Sequence, residues 1–249
     1  MRTRILVFAK LPEPGQVKTR LESRWDATRA ARLYEAFLRD SLASTRRVRG
    51  AELAVAYWPP GGREWFASAA GSELELLPQR GNDLAERLER AFRDCFAIGY
   101  EAVIVRNSDS PDLPPERIEE AARLLEEHEV VLGPDQGGGY YLVAMRAPYR
   151  DLFSRVPMDT ETSLEATIAA ARGHGLEPRL LAVHPDIDHP EDVDRLWARL
   201  GEDPSLAETI PETAVELQRC RSDLRDSPDT KRSPESEIDP DDRECRGVD

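Results

Sequence analysis

The sequence feature that most constrains the fold is a repeated alternation of short apolar runs with longer segments of helical periodicity. The short runs are rich in Val, Ile and Leu, and the longer segments place apolar residues three and four positions apart. This alternation is typical of βα units, which build a mainly parallel sheet covered by helices on both faces. The sequence therefore predicts a three-layer α/β/α fold with a Rossmann-like sheet.

The apolar runs and the periodic segments give a specific list of expected elements. Strands are predicted over residues 5–9, 53–58, 74–77, 102–105, 130–132, 140–145 and 179–183. Helices are predicted over residues 26–48, 82–98, 115–128, 161–174 and 190–200. Ligands of such sheets bind at the carboxyl ends of the strands, so the loops that follow the strands are the places to look for a site.

The charge balance excludes some classes of partner. The chain has 249 residues and a formal net charge of -14. Coating nucleic acid or an anionic membrane requires a positive electrostatic surface, which this balance does not supply. No apolar run approaches the roughly 20 residues that span a bilayer. We therefore expect a cytoplasmic protein with neither a nucleic-acid nor a membrane partner.

The C-terminal part of the chain differs in composition from the rest. Residues 201–249 contain no Phe, Trp or Tyr and hold 15 acidic against 7 basic residues. Such a polar segment buries too little apolar surface to offset the loss of chain entropy on folding. We expect a domain over residues 1–200 and an acidic, disordered tail over 201–249, with a short helix over 211–221 as an open alternative.

A cationic loop follows the first predicted strand. The segment FAKLPEPGQVKTRL, residues 8–21, carries Lys10, Lys18 and Arg20 within eleven residues. Arginine binds phosphate through its guanidinium fork and lysine as a point charge, so this loop suits a di- or triphosphate. It lacks the Walker pattern GxxxxGK[ST]. A solvated basic turn is the alternative.

Carboxylates follow three later strands. Asp109 ends the segment VIVRNSD, Asp135 lies in the glycine-rich segment 133–145, and Asp186 and Asp188 precede the last predicted helix. Carboxylates in such positions suit a hard divalent cation that bridges phosphate oxygens. Helix capping and a tight turn are the alternatives, and for capping Asp112 is the better candidate.

Taken together, these loops resemble those of the nucleotide-diphospho-sugar transferase superfamily, which has a GT-A-like fold. The blocks that carry the resemblance are FAK-P-PG-VKTRL, SDSPDLP, GGGY and DIDHPEDV, and GNDLAERL over residues 81–88 adds a further match. Within the superfamily, the chain is most similar to the radical-SAM-associated glycosyltransferase family named for arsenosugar biosynthesis. The 2-phospho-lactate guanylyltransferases are more distant relatives.

The resemblance implies a role for particular residues. The nucleotide would contact Phe8, Ala9, Lys10, Gly15, Lys18, Arg20, Asn82, Asp83, Arg87, Ser108 and Asp109. Mg²⁺ or Mn²⁺ would be held by Asp109 and Asp188, and the acceptor side would be shaped by Gly138, Gly139 and Tyr140. Lys18 and Arg20 would stabilise charge on the leaving diphosphate, and Asp135 is the candidate base from its loop position.

The chain departs from the family pattern at specific positions. Asn107 stands where the family has glycine, and Gly137 stands where the family has the aspartate of a DGGY block. Residues 158–160 read Met-Asp-Thr in place of Trp-Ser-Thr. The missing carboxylate bears on how the acceptor is oriented, and Asp135 is its candidate substitute.

Three functions follow from these observations. The first is a metal-dependent glycosyltransferase that uses a nucleotide-activated sugar and a small-molecule acceptor. The second is a nucleotidyltransferase that joins an NTP to a phosphorylated small molecule and releases pyrophosphate. The third is a nucleotide-binding protein without turnover. Free NDP as product distinguishes the first from the second, which yields pyrophosphate.

Overall fold

The computed structural model describes residues 1–71 and 73–226, which form one seven-stranded sheet and the helices around it. The strands are β1 (Thr3–Lys10), β2 (Ala51–Trp58), β3 (Glu75–Pro78), β4 (Ala102–Arg106), β5 (Val130–Pro134), β6 (Tyr140–Met145) and β7 (Arg179–Leu180). Their order across the sheet is β3-β2-β1-β4-β6-β5-β7. The sequence predicted each of these strands, although the last is shorter than expected.

The sheet is mixed but mainly parallel. Strand β6 pairs antiparallel with both β4 and β5, and the remaining pairs are parallel. The reversal follows from the connection, because the few residues between Pro134 and Tyr140 allow a hairpin, whereas a parallel crossover needs about a dozen or more. The predicted α/β/α class is confirmed.

Eight α-helices accompany the strands in the described part of the chain. They are α1 (Ala27–Thr45), α2 (Arg63–Ala70), α3 (Leu84–Ala97), α4 (Pro115–Leu124), α5 (Ser163–Gly173), α6 (Pro190–Glu202), α7 (Leu206–Thr209) and α8 (Pro211–Asp226). Asp26 and Asp83 end the loops before α1 and α3, because each carboxylate accepts a backbone N–H of the first turn. The sequence did not predict α2.

The helices cover both faces of the sheet. Alternate strand residues such as Leu6 and Val105 pack against α3 and α5. The opposite face packs against α4 through residues such as Ile104, and against α1 and α2 through residues such as Val7. Within the described residues, no helix has both the length and the apolar character needed to cross a membrane.

The sequence predicted that the domain ends at residue 200, but the fold continues beyond it. Helix α8 packs on α1 through Leu217 and Cys220, and Ile210, which directly precedes α8, joins the same cluster; all three are at most 1% exposed. The buried Asp40 of α1 accepts hydrogen bonds from the first backbone N–H groups of α8, at 2.7 Å for Thr213. A few apolar residues at helical spacing outweigh the polar average of the segment. Residues 227–249 of the expected tail lie outside the described residues.

Candidate functional site

A cleft of about 1340 Å³ lies at the carboxyl edge of the sheet. The loops that follow β1, β3, β4 and β5 form it, together with residues 158–163 and 186–195. The predicted site residues that line it are Phe8, Ala9, Lys10, Lys18, Arg20, Asp83, Arg87, Ser108, Asp109, Asp135, Gly139, Tyr140 and Asp188. Gly15, Asn82 and Gly138 were also predicted, and the structure places them outside the lining.

The ammonium group of Lys18 lies at the centre of the charged part of the cleft. Its Nζ is 2.5 Å from Oδ1 of Asp109 and 2.7 Å from Oδ1 of Asp188. The side chain is only 4% exposed. Burial would lower the pKa of Lys18, but the two carboxylates outweigh it and the pKa is raised. Lys18 is therefore a permanent cation, and it lowers the pKa of Asp188.

Backbone geometry directs Lys18 into the cleft. Its φ of 49° is in the left-handed region, immediately before the 3₁₀ turn Thr19–Ser23. A non-glycine residue takes this conformation only when its surroundings fix it. The next basic residue, Arg20, binds the second oxygen of Asp188 at 3.1 Å, with more than half of its side chain exposed.

Tyr34 of α1 joins the loops that follow β1 and β4. Its hydroxyl accepts a hydrogen bond from the backbone N–H of Lys10 at 2.8 Å and pairs with the hydroxyl of Ser108 at 2.8 Å. Because Tyr34 is buried, these contacts fix the two loops relative to each other. Tyr34 lies in the helix predicted over residues 26–48, but helical periodicity does not reveal a polar partner in another loop.

The glycine-rich corner after β5 holds Asp135 in place. Oδ1 of Asp135 accepts the backbone N–H groups of Gly137 and Gly139, each at 2.8 Å. Burial raises the pKa of Asp135 despite these bonds. Gly138 has a φ of +84°, and a Cβ there would lie 1.9 Å from the carbonyl oxygen of Glu161. Gly138 therefore allows two loops to meet, and it lies behind the cleft surface.

Asp186 is the most strongly perturbed carboxylate of the cleft. Burial, followed by the charges of Asp188 and Asp135, raises the pKa of Asp186 to about 7. The sequence indicated Asp186, with Asp188, as a carboxylate suited to a divalent cation, but it did not indicate the raised pKa of Asp186. Its environment depends on Asp135, which is about fifty residues away in the chain, so local spacing does not reveal it.

The β2 and β3 side of the cleft includes Arg87 and Gln79. The guanidinium of Arg87 stacks over the ring of Trp58 at 3.7 Å and lines the cleft. Gln79, which sequence reasoning missed, is buried beside it and donates to the carbonyl of Ala56 at 2.7 Å. Asn82 instead directs its amide to the carboxylate of Glu86.

The sequence favoured Asp112 as the cap of the following helix, but Asp112 does not cap it. Helix α4 has Pro114 at its cap position. The buried carboxylate of Asp112 pairs instead with His184 at 3.1 Å and with Arg199 at 2.6 Å. Both partners come from segments about seventy or more residues later in the chain. Asp112 therefore joins the β4 loop to the segment that carries Asp186 and Asp188.

The overall charge of the cleft bears on its ligand. Eight acidic and five basic side chains line it. No cluster of three or more His, Cys, Asp or Glu side chains that could hold a metal occurs among residues 1–71 and 73–226. The protein would thus supply two carboxylates, Asp109 and Asp188. Mg²⁺ is commonly held by one or two carboxylates together with substrate phosphates, so this set fits a cation that binds with a nucleotide.

Comparisons with known proteins identify the family and the fold. Residues 41–160 match a family model described as an uncharacterized protein conserved in bacteria, DUF2064. A crystal structure from Desulfovibrio desulfuricans G20, of a protein provisionally described as a nucleotide-diphospho-sugar transferase, is 30% identical with a TM-score of 0.78. The alignment covers 88% of this chain and 99% of that one. No curated protein matches the sequence.

More distant structures share the fold. One is CMP:2-keto-3-deoxy-manno-octonic acid synthetase complexed with CTP, at 12% identity and a TM-score of 0.55, covering 82% of this chain and 100% of that one. Another is 4-diphosphocytidyl-2C-methyl-D-erythritol synthase from Anaerococcus prevotii, at 10% identity and a TM-score of 0.56, covering 80% and 96%. These likenesses show the architecture of the sheet and its helices.

Proposed function

The chain belongs to the same family as the Desulfovibrio protein, within the nucleotide-diphospho-sugar transferase superfamily, and on this premise we propose that it is a metal-dependent glycosyltransferase. It takes a nucleotide-activated sugar as donor and a small hydroxyl compound as acceptor. The arsenosugar-type branch of the superfamily is part of this proposal, and it rests on the opening FAK-P-PG-VKTRL block and on GNDLAERL.

The convergence of Lys18, Asp109 and Asp188 carries the proposal. These three side chains come from three separate loops at the carboxyl edge of the sheet. Nζ of Lys18 lies within 2.7 Å of a carboxylate oxygen of each aspartate. A diphosphate bound there meets the Lys18 ammonium and, beside it, the exposed guanidinium of Arg20. These groups stabilise negative charge on a departing diphosphate, and they require little reorganisation because the fold already fixes them.

A divalent cation completes the charge balance. Asp109 and Asp188 already direct carboxylate oxygens at one cation, the Lys18 ammonium, which marks where positive charge is favourable. These two residues would hold Mg²⁺ or Mn²⁺, and the cation would neutralise the diphosphate oxygens. The acidic excess of the cleft supports this, because without added positive charge the cleft would repel a diphosphate.

The part of the cleft lined by residues 135–140 and 158–163, here called the carboxylate end, favours a hydroxyl acceptor. Its lining from residues 135–140 and 158–163 includes the carboxylates of Asp135, Asp159 and Glu161 and the hydroxyls of threonines. Among the described lining residues of these two segments there is no basic side chain. Carboxylates accept hydrogen bonds from hydroxyl groups but repel a phosphate, so this end suits a neutral acceptor. Asp135, with its raised pKa, is the proposed base for the acceptor hydroxyl.

Nucleotidyl transfer is the second candidate. The basic loop with Lys10, Lys18 and Arg20 has enough positive charge for a triphosphate. The two cytidine-nucleotide enzymes that share the fold support this candidate, since one of them is complexed with CTP. It would require the carboxylate end of the cleft to accept a phosphorylated compound. That requirement places it behind glycosyl transfer.

The test is a binding and product experiment on the full chain. Thermal unfolding is measured with NDPs, NTPs and nucleotide sugars, each with and without Mg²⁺ or Mn²⁺. A ligand at 100 times its Kd adds about 2.7 kcal/mol of stability, which is easily detected. We expect a metal-dependent shift with a nucleotide sugar and release of free NDP when an acceptor is added.

Two variants separate the roles. Asp109→Asn should remove the metal-dependent part of the shift, whereas Asp135→Asn should keep the shift and lose turnover. Pyrophosphate release from an NTP would favour nucleotidyl transfer instead. Tight binding that is indifferent to both metal and Asp109 would support the non-catalytic alternative and contradict the proposal.

A further inference from the structure

A wholly buried arginine lies directly below the charged part of the cleft. Arg106 is the last residue of β4 and has 0% exposure. Its guanidinium makes four hydrogen bonds, and each acceptor is a neutral oxygen. No described carboxylate is paired with it. A buried charge of this kind is costly, so its hydrogen bonds must offset a large loss of hydration.

The four bonds join two structures that are far apart in sequence. Arg106 donates to the carbonyls of Asn107 and Ser110, at 2.8 and 2.7 Å. It also donates to the hydroxyls of Ser41 and Thr45 on α1, at 3.1 and 3.2 Å. The first pair of acceptors brackets Asp109 in the chain. The guanidinium therefore ties the turn that carries Asp109 to a rigid helix.

Helix α1 presents a row of buried hydroxyl groups toward this turn. The buried hydroxyls of Tyr34, Ser41, Ser44 and Thr45 lie on one face of the helix, because their spacings of three, four and seven residues correspond to one or two turns. Tyr34 holds Ser108, and Ser44 donates to the carbonyl of Leu113 at 2.9 Å. We name these four residues and Arg106 the hydroxyl seam.

Packing α1 against the end of β4 through the hydroxyl seam carries the energetic cost of burying polar groups. Apolar residues of similar size would fill the same space without any buried polar group to satisfy. What the hydrogen bonds add is direction, since a guanidinium fork fixes the angle as well as the distance of its partners. The turn of residues 107–110, which the seam holds, contributes Asn107, Ser108 and Asp109 to the lining of the cleft.

We propose that Arg106 is the positioning residue of the site, which holds the turn of residues 107–110 against α1 and thereby sets Asp109 opposite Lys18. Arg106 touches no ligand and acts through Asp109. The inference rests on the function proposed above, because it takes Asp109 as the group that meets the cation and the diphosphate.

The first test needs no ligand. Hydrogen exchange is measured in the full chain for the amides of residues 107–110. Arg106→Lys keeps the charge but loses the fork, so we expect exchange there to be about tenfold faster or more. Ser44→Ala is the matched control, since it removes one buried bond of the same seam beyond the turn. It should lower the melting temperature and leave exchange at 107–110 unchanged.

The second test asks whether Arg106 acts through Asp109. Binding of Mn²⁺ with inorganic pyrophosphate is measured by calorimetry for wild type, Arg106→Lys, Asp109→Ala and the double variant. We expect Arg106→Lys to weaken binding roughly 10- to 100-fold, as for residues that orient a metal ligand. In the Asp109→Ala background the same change should cost less than about twofold, because the group that it positions is gone.

The outcomes separate this inference from the proposed function. Equal losses in both backgrounds, or exchange at 107–110 as slow as in wild type, would overturn the positioning role. If wild type does not bind Mn²⁺ and pyrophosphate, the proposed function fails, and the exchange experiment alone then decides on Arg106. If Arg106→Lys does not fold, Ser41→Ala replaces it, and a smaller rise in exchange at the same amides is the expected result.

Discussion

The two ends of the cleft treat negative charge in opposite ways. At the end formed by the β1 loop, Lys18 and Arg20 neutralise Asp188. At the end formed by residues 135–140, Asp135 is held only by backbone N–H groups. The β1 loop thus supplies fixed positive charge beside Asp188, whereas backbone dipoles alone hold Asp135, a difference that suits a ligand with an anionic part at the β1 loop and hydroxyls at residues 135–140.

Asp186 and Asp188 show the contrast over two residues of chain. Lys18 lowers the pKa of Asp188, while burial and neighbouring carboxylates raise the pKa of Asp186 to about 7. Both are aspartates of the same loop, so the difference comes from what each side chain faces. A carboxyl group with a pKa near neutrality is suited to proton transfer, and one with a lowered pKa is suited to holding a cation.

Replacement of Lys18 should have the largest effect on this contrast. Lys18→Met removes the ammonium between Asp109 and Asp188 and leaves Asp188 with only the exposed Arg20, so the free energy of unfolding should fall by about 3 kcal/mol. Mn²⁺ should restore much of the loss by taking the place of the ammonium. Denaturant unfolding with and without Mn²⁺ measures both effects. Lys10→Met in the same loop is the control, and an equal loss there would contradict the assignment.

Substitution of Gly138 should damage only the carboxylate end. Gly138→Ala combines a positive φ with a clash against the backbone of Glu161, so we expect a loss of about 2 kcal/mol in the free energy of unfolding. Gly137→Ala is the matched control, because its Cβ would meet the nearest atom at 3.5 Å. Denaturant unfolding of both variants provides the measurement. Similar losses in the two would show that the loops do not meet as described.

The raised pKa of Asp186 predicts that Asp186→Asn increases the free energy of unfolding at high pH. A carboxyl whose folded pKa lies above its unfolded value stabilises the fold at low pH, and that stability is lost as pH rises from about 4 through 7. Asp186→Asn should therefore equal wild type near pH 3 and exceed it at pH 8 by about 1–2 kcal/mol, discounted for partial exposure.

Asp188→Asn should change the pH dependence of stability in the opposite direction. The folded pKa of Asp188 is lowered, so its contribution is present above the unfolded pKa and disappears as pH falls. Unfolding curves from pH 3 to pH 8 in metal-free buffer should diverge in opposite directions for the two variants. Parallel curves would mean that the two carboxylates share one environment.

Arg20 should give the smallest change in stability. Its ion pair with Asp188 is largely exposed, so Arg20→Ala should cost less than about 1 kcal/mol and less still at high salt. Binding of pyrophosphate with Mn²⁺ should weaken and lose part of its salt dependence. A large loss of stability would indicate that Arg20 supports the loop itself.

Much of the fold and part of the site could be predicted from local pattern. Hydrophobic periodicity of two and 3.6 residues specifies strands and helices over short windows, and it located all seven strands. It also pointed to the loops that carry Lys18, Asp109 and Asp188. The predicted cap at Asp112 was wrong because its partners, His184 and Arg199, lie far along the chain.

The prediction that a disordered segment begins at residue 201 was wrong for a related reason. Average composition described residues 201–249 as polar, but folding depends on where the apolar residues fall. Leu217 and Cys220 share one face of α8 and Ile210 directly precedes the helix, while α1 supplies the apolar surface and the buried Asp40 that receive this segment. The partner surface is about 170 residues away, so no local window contains it.

Residue types and their order were enough to specify the class of the sheet, the edge at which a ligand binds and the charged side chains available there. Only tertiary contacts decide which carboxylate meets a cation, which is isolated, and which turn a buried arginine holds. Periodicity is a property of neighbours along the chain, whereas pKa, ion pairing and hydrogen-bond direction depend on neighbours in space. Lys18 and Asp188 are 170 positions apart in sequence and 2.7 Å apart in the cleft.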